Sequence, residues 1–136
     1  DLSDGPDIKE VVEVLRDRSK SLVDMAQNCV MFYHDFEDFD SDLAKKFFNL
    51  ESRSVLGDLL INLETLEQWS AEHIHEVIQS ICQSRNIGFG KVGQPLRLAI
   101  SGDGEAGSLD KCSQLVGKKR VLLRLKMATD WIDNLP

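Results

Sequence analysis

The segment GKVGQPLRLAISG, Gly90–Gly102, sets a proline and an arginine close together between glycines. An arginine guanidinium is a planar cation that only donates. It forks onto phosphates, carboxylates or base edges and stacks on flat rings. Proline costs little in the first turn of a helix, where the amide it lacks would have had no partner, but about 3 kcal/mol in a helix interior. Pro95 therefore reads as a helix start, which offers free backbone amides and aims Arg97 outward. An ion pair between Arg97 and a neighbouring helix is the plainer reading of the same residue.

Charge gives that arginine a setting. The chain carries 16 Lys or Arg against 23 Asp or Glu, net −7, which excludes indiscriminate binding to nucleic acid. The total is unevenly spread. Residues 1–84 hold 7 basic against 18 acidic side chains, whereas residues 85–126 hold 9 against 3, net +6. The basic third includes Lys91, Arg97, Lys118, Lys119 and Arg120. On charge alone it is either a solvated helix face or a patch that faces phosphates.

Other chemistries lack their residues. Cys29, Cys82 and Cys112 are odd in number, far apart and set among apolar neighbours, which predicts plain buried thiols and not a disulfide framework. His73 and His75 are two apart, so a helix points them in different directions, and no metal site is expected. No phosphate-binding glycine loop, dinucleotide fingerprint or nucleophile elbow occurs. Glu64 with Glu67, or Asp38 with Asp40, could be drawn as an acid and a base, but carboxylate-rich surfaces supply such pairs by chance. No catalytic residue is assigned. No apolar run reaches the roughly 18 residues of a membrane span, and no charged start followed by an apolar stretch suggests a signal peptide, so a soluble cytoplasmic protein is expected. The start at Asp1 reads as a piece of something larger.

The elements that must position these residues are helical throughout. Asp4-Gly5-Pro6 opens a first helix whose Val11, Leu15, Leu22, Met25, Ala26 and Cys29 recur near helical spacing. A loop, MFYHDFEDFD, follows; its aromatics are expected to plug into the core. Ser41 is read as the cap of a short helix to Phe48, SVLGDLLINLETL as the next, and Ser70 as the cap of AEHIHEVIQSICQ with its stripe Ile74, Val77, Ile78, Ile81 and Cys82. After the helix with the Pro-Leu-Arg start, Ser108 caps a helix ended by Gly117, and Val121, Leu122, Leu125, Ala128 and Ile132 bury the last one. No period-2 strand appears. The expectation is all-α: a compact array of about seven helices in two small lobes, residues 1–66 and 67–136.

The residues from Asn86 to Leu125 resemble the carboxy-terminal anticodon-binding region of bacterial glutamyl-tRNA synthetases. That family's pattern is Gly-Lys-x-x-x-Pro-Leu-Arg-x-Ala-x-Thr-Gly, a loop of small residues, then a helix ending in Gly-Lys and a basic helix. Here Gly90, Lys91, Pro95, Leu96, Arg97, Ala99, Gly102, Gly117 and Lys118 match, with Ser101 where threonine is usual. LRDRSKSLVDMAQNCVMFYHDFEDFDSDLAKKF is similar to the preceding helical lobe of the same enzymes. The resemblance implies an anticodon-binding helical cage, with glutamate tRNA and the catalytic domain of the same polypeptide as partners, and a monomer. The class I catalytic domain of those ligases uses ATP and Mg²⁺ to join glutamate to tRNA. Its ATP-binding signatures are missing here, so this part alone is not expected to be an enzyme.

The resemblance also implies roles. Arg97 and Leu109 would lie against anticodon bases, with Gln94 and Pro95 beside them, and Lys91, Lys118, Lys119 and Arg120 would meet the RNA backbone. Arg18, with Arg16 as its rival, would read the third anticodon base. Cytosine, found there in glutamate tRNA, offers O2 and N3 as acceptors, whereas the guanine of glutamine tRNA points N1 and N2 donors at a donor-only guanidinium. A helical protein-interaction module with an acidic face and no RNA role is the alternative. Salt separates the two, because RNA binding weakens steeply as counterions are released and an apolar groove hardly responds.

Overall fold

A computed structural model describes residues 5–15, 32–33, 35–36, 38–102 and 108–135. These residues form seven α-helices and no strand: α1 (Ile8–Leu15), α2 (Ser41–Phe47), α3 (Leu50–Glu64), α4 (Ala71–Arg85), α5 (Phe89–Ser101), α6 (Leu109–Val116) and α7 (Lys118–Asp133). The all-α expectation holds. Arg16, Arg18, Leu22, Met25, Ala26 and Cys29, which the sequence reading placed on or near the first helix, lie outside the described residues, as do residues 103–107.

Local chemistry explains most helix ends. Asn49 and Ser52 form a reciprocal box at the start of α3, each side chain accepting the other's backbone amide, at 2.9 and 2.8 Å. Ser70 Oγ accepts from the His73 amide at the start of α4, and Asn86, in the left-handed conformation, ends that helix. Gly117 closes α6 with a φ of 96°.

Three helix starts differ from the sequence reading, and one of them is α3, which begins at Leu50 and not at Ser54. The cap of α2 is Asp40, not Ser41: the Asp40 carboxylate accepts from the Leu43 amide at 3.1 Å, and Ser41 is already helical. More consequentially, Pro95 does not start a helix. It sits in the middle of α5, which begins after Gly88. The Lys91 carbonyl loses the amide it would have met at position 95, a local penalty of the size that favoured a helix start there. Tertiary burial overrides it, because Val92, Leu96 and Ala99 are fully buried on the two sides of the proline.

The core is one cluster. It joins Leu56, Leu59 and Leu63 of α3, Ile74 and Ile78 of α4, Leu96 and Ile100 of α5, and Val121 and Leu125 of α7. Helix α3 lies along α7, α5 packs on both, and α4 meets α3, α5 and α6. The cluster therefore includes residues from both sides of the boundary expected at 66/67. The aromatic segment is an anchor, as expected: Phe32, Tyr33 and Phe39 are buried. The Tyr33 hydroxyl donates to the Pro6 carbonyl at 2.8 Å, fixing the entry to α1. Cys112 is buried and Cys82 half-buried, both as thiols. No described helix is long and apolar enough to cross a membrane.

Candidate functional site

Arg97 projects from the second half of α5, two residues after Pro95, and is half-buried. Its Nε is out of solvent and has no hydrogen-bond partner among the described residues, and no carboxylate there pairs with it. The ion-pair reading of Arg97 thus finds no partner among the described residues. An unmet buried donor costs about 1–3 kcal/mol, so Nε is left in need of an acceptor. Ser101, at the threonine position of the motif, donates from Oγ to the Arg97 carbonyl at 2.7 Å, a bond back to the preceding turn.

The other expected site residues divide into groups. Lys91, Gln94 and Pro95 line a cleft of about 560 Å³ between the end of α2, the start of α3 and the first half of α5; Phe47 and Lys46 complete its opposite wall. Lys91 and Gln94 are exposed and Pro95 is buried. Lys118, Lys119 and Arg120 line a second cleft of about 430 Å³ at the start of α7, with Asp35 and Leu123. Arg97 and Leu109 line neither.

Leu109 is a core residue at 4% exposure. Its side chain packs toward Gly93, where an added Cβ would lie 3.5 Å from Leu109 Cδ2 and 3.1 Å from the Phe89 ring. Gly93 is therefore small because two side chains close over it. Phe89 is itself partly exposed, and its ring lies 6.3 Å from that of His75. His75 Nδ1 lies 2.8 Å from Asp110 Oδ2, near in distance but not aligned as a hydrogen bond.

The second cleft is less free than its charges suggest. Lys118 Nζ donates to the Leu66 carbonyl at 2.7 Å and pins the α3–α4 connection. Arg120 donates to the Phe32 and Tyr33 carbonyls at 2.8 and 3.2 Å and to Asp35 at 3.1 Å. Among the three, Lys119 is the exposed one.

One residue escaped the sequence reading. Arg124 is 2% exposed and is the largest fully buried side chain described. Its Nη1 donates to the Ile100 carbonyl at 2.6 Å, and its guanidinium lies 4.7 Å from the centre of the Phe36 ring. Desolvation brings its pKa down to about 10, Asp35 opposing and Arg120 adding to the fall, so it remains cationic at neutral pH. A signal was present, since Arg124 follows Val121 by three and precedes Ala128 by four, on the buried stripe of α7. Among the described residues no group of three or more His, Cys, Asp or Glu side chains could hold a metal ion.

Comparison with known proteins gives this geometry a context. The anticodon binding domain family matches residues 1–129. The chain is 52% identical over 130 residues to a glutamate–tRNA ligase of Vesicomyosocius okutanii, covering 96% of this chain and 28% of that protein. It is 48% identical over 129 residues to a glutamate–tRNA ligase of Ruthia magnifica, covering 95% and 28%. The chain thus spans about 28% of the length of these curated relatives. The crystal structure of a glutamate tRNA ligase from Elizabethkingia meningosepticum shares the fold at a TM-score of 0.82 and 24% identity, over 90% of this chain and 24% of that one. A glutamate-tRNA synthetase from Elizabethkingia anophelis gives 0.76 and 23%, over 89% and 23%. With the family matched over nearly the whole chain, and the same helical fold in solved relatives, the chain belongs to the anticodon-binding domain family.

Proposed function

We propose that this chain is the anticodon-binding part of a glutamate–tRNA ligase, holding the anticodon loop of glutamate tRNA while a catalytic domain of the same polypeptide joins glutamate to it. ATP and Mg²⁺ belong to that catalytic domain, and this chain supplies RNA contacts alone. The protein acts as a cytoplasmic monomer. The observation that carries the reading is Arg97: a half-buried guanidinium, its Nε unpartnered among the described residues, in the Pro-Leu-Arg segment of a family member. Single-stranded loops are read by splaying bases onto flat side chains and hydrogen-bonding their edges, which is what such a group offers. Pro95 and Gln94 precede it on the same helix, and Leu109 packs in the core near Gly93. Nothing in the comparisons favours a protein-interaction module without RNA. Filter binding to purified glutamate tRNA and a control tRNA tests the proposal; equal affinity for both would end it.

Phosphate contacts fall to the exposed lysines. Lys91 and Lys119 are free to meet the RNA backbone, whereas Lys118 and Arg120 first hold the chain's own carbonyls. Replacing Lys91 and Lys119 together by glutamine is expected to weaken tRNA binding and flatten its log–log salt dependence by about 0.7–0.9 for each phosphate no longer neutralised. The preference between tRNAs should persist, because phosphate contacts position and do not specify. An unchanged slope would make both lysines solvated surface.

Arg18, outside the described residues, is proposed as the reader of the third anticodon base. Arg18→Gln, which has an acceptor as well as donors, should narrow the cytosine-over-guanine preference by about 1–3 kcal/mol, the worth of one good base-edge pair. The check is the ligase's charging efficiency on two transcripts differing only in that base. A ratio that collapses in Arg16→Gln instead would move the role to Arg16.

A further inference from the structure

A buried arginine is an expensive way to fill space, since an apolar side chain of like volume would pack without the desolvation penalty. What an apolar side chain cannot supply is a directed bond. One directed bond of Arg124 goes to Ile100, whose carbonyl is among the last four of α5 and so has no full intrahelical complement, while its Nη2 lies 3.9 Å from Asp35. A cation there also meets the negative end of the helix dipole. Arg124 is thus a cap, reached across the fold, for the helix that carries Arg97.

The surroundings hold that cap still. The Phe36 ring lies against the Arg124 guanidinium and also against Gly102, where an added Cβ would come within 3.2–3.3 Å of three ring carbons. Gly102 ends α5 in the left-handed region at φ 79°, which glycine adopts without strain, and its carbonyl accepts from the Asp40 amide at 2.8 Å. One turn before Arg124, Arg120 clamps the chain leading into Phe36 by two backbone carbonyls and Asp35. From Ile100 the path to Arg97 is one helical turn, closed by the Ser101 bond to the Arg97 carbonyl.

We infer that Arg124 is a positioning residue for RNA recognition: by capping the last turn of α5 at Ile100 and bearing on Phe36, it sets the angle at which Arg97 meets a base. The inference rests on the proposed RNA-binding role. Arg124 itself, being buried, touches no RNA.

The test is a double-mutant cycle between Arg124 and Arg97. Its probe is a fluorescein-labelled RNA hairpin carrying the glutamate anticodon loop, and helicity is followed by circular dichroism. Arg124→Met fills the same space with an unbranched apolar chain. It is expected to keep the helical spectrum and the salt slope, yet to bind the hairpin about tenfold more weakly. In an Arg97→Ala background the same change should cost less than about twofold, because nothing remains to be positioned. Arg124→Lys can still reach the Ile100 carbonyl but loses the stacking on Phe36, and should fall between, about threefold weaker, with the loss again absent beside Arg97→Ala. If the methionine variant fails to fold, the lysine cycle decides. Additive losses, an unchanged affinity, or a flatter salt slope would overturn the inference. A parent chain that does not bind the hairpin would instead overturn the RNA reading itself, and additive losses in a chain that binds would end only the positioning role.

Discussion

Replacing Phe48 by alanine is expected to cost about 3–5 kcal/mol of folding stability, the usual range for a buried phenylalanine cut to alanine. Phe48 is 1% exposed and closes the turn between α2 and α3. Its ring meets Phe39 edge-on at 5.0 Å and Trp131 at 5.7 Å, and Phe39 in turn meets Phe36 at 5.6 Å. The four rings run from the segment that bears on Arg124 to the last turns of α7, so the deletion unties three parts of the chain from one another. Against a total stability of about 5–15 kcal/mol, the loss would leave a large unfolded population. Urea unfolding followed by tryptophan fluorescence should show a lower midpoint with an unchanged slope. A loss below about 1 kcal/mol would mean that the rings touch without supporting one another.

Arg97→Ala should do the reverse, sparing the fold and impairing recognition. Alanine is at least as good a helix former as arginine, and Nε has no partner among the described residues to leave stranded. Removing an unmet buried donor relieves a penalty, so stability should hold or rise slightly. Binding of glutamate tRNA, and charging by the parent ligase, should fall by the worth of one base stack, about 1–3 kcal/mol. The measurement pairs the melting curve with tRNA affinity on the same sample. A lower melting temperature with normal affinity of the folded protein would make Arg97 a structural residue.

These two residues illustrate how much was legible in the chain itself. Helices and their buried faces follow from periodicity within four residues: the stripe Ile74, Ile78, Ile81 is buried where spacing puts it, and Ser70 and Gly117 mark helix limits by their own chemistry. The aromatics around Phe36 were readable as anchors, because rings flanked by helices gain most from burial. The types of residue suited to meeting RNA were readable too, a guanidinium and amines on the basic third of an acidic chain.

The tertiary structure decided what each charge is for. Lys118 reads as a phosphate ligand until its partner, the Leu66 carbonyl 52 residues away, is seen; Arg120 likewise, with partners 85 to 88 residues away. Arg124 looks like one more surface cation on a basic helix, and is instead the largest of the fully buried side chains, because closing α7 over the end of α5 leaves the Ile100 carbonyl in need of a donor. Pro95 makes the same point in the backbone. Its own preference is for a first turn, worth about 3 kcal/mol, but Val92, Leu96, Ala99 and Ile100 are buried around it and together outweigh that preference, so α5 runs through the proline from Gly88. Local sequence sets what a few neighbouring residues favour; which of those preferences survive is settled by contacts that exist only once distant segments meet.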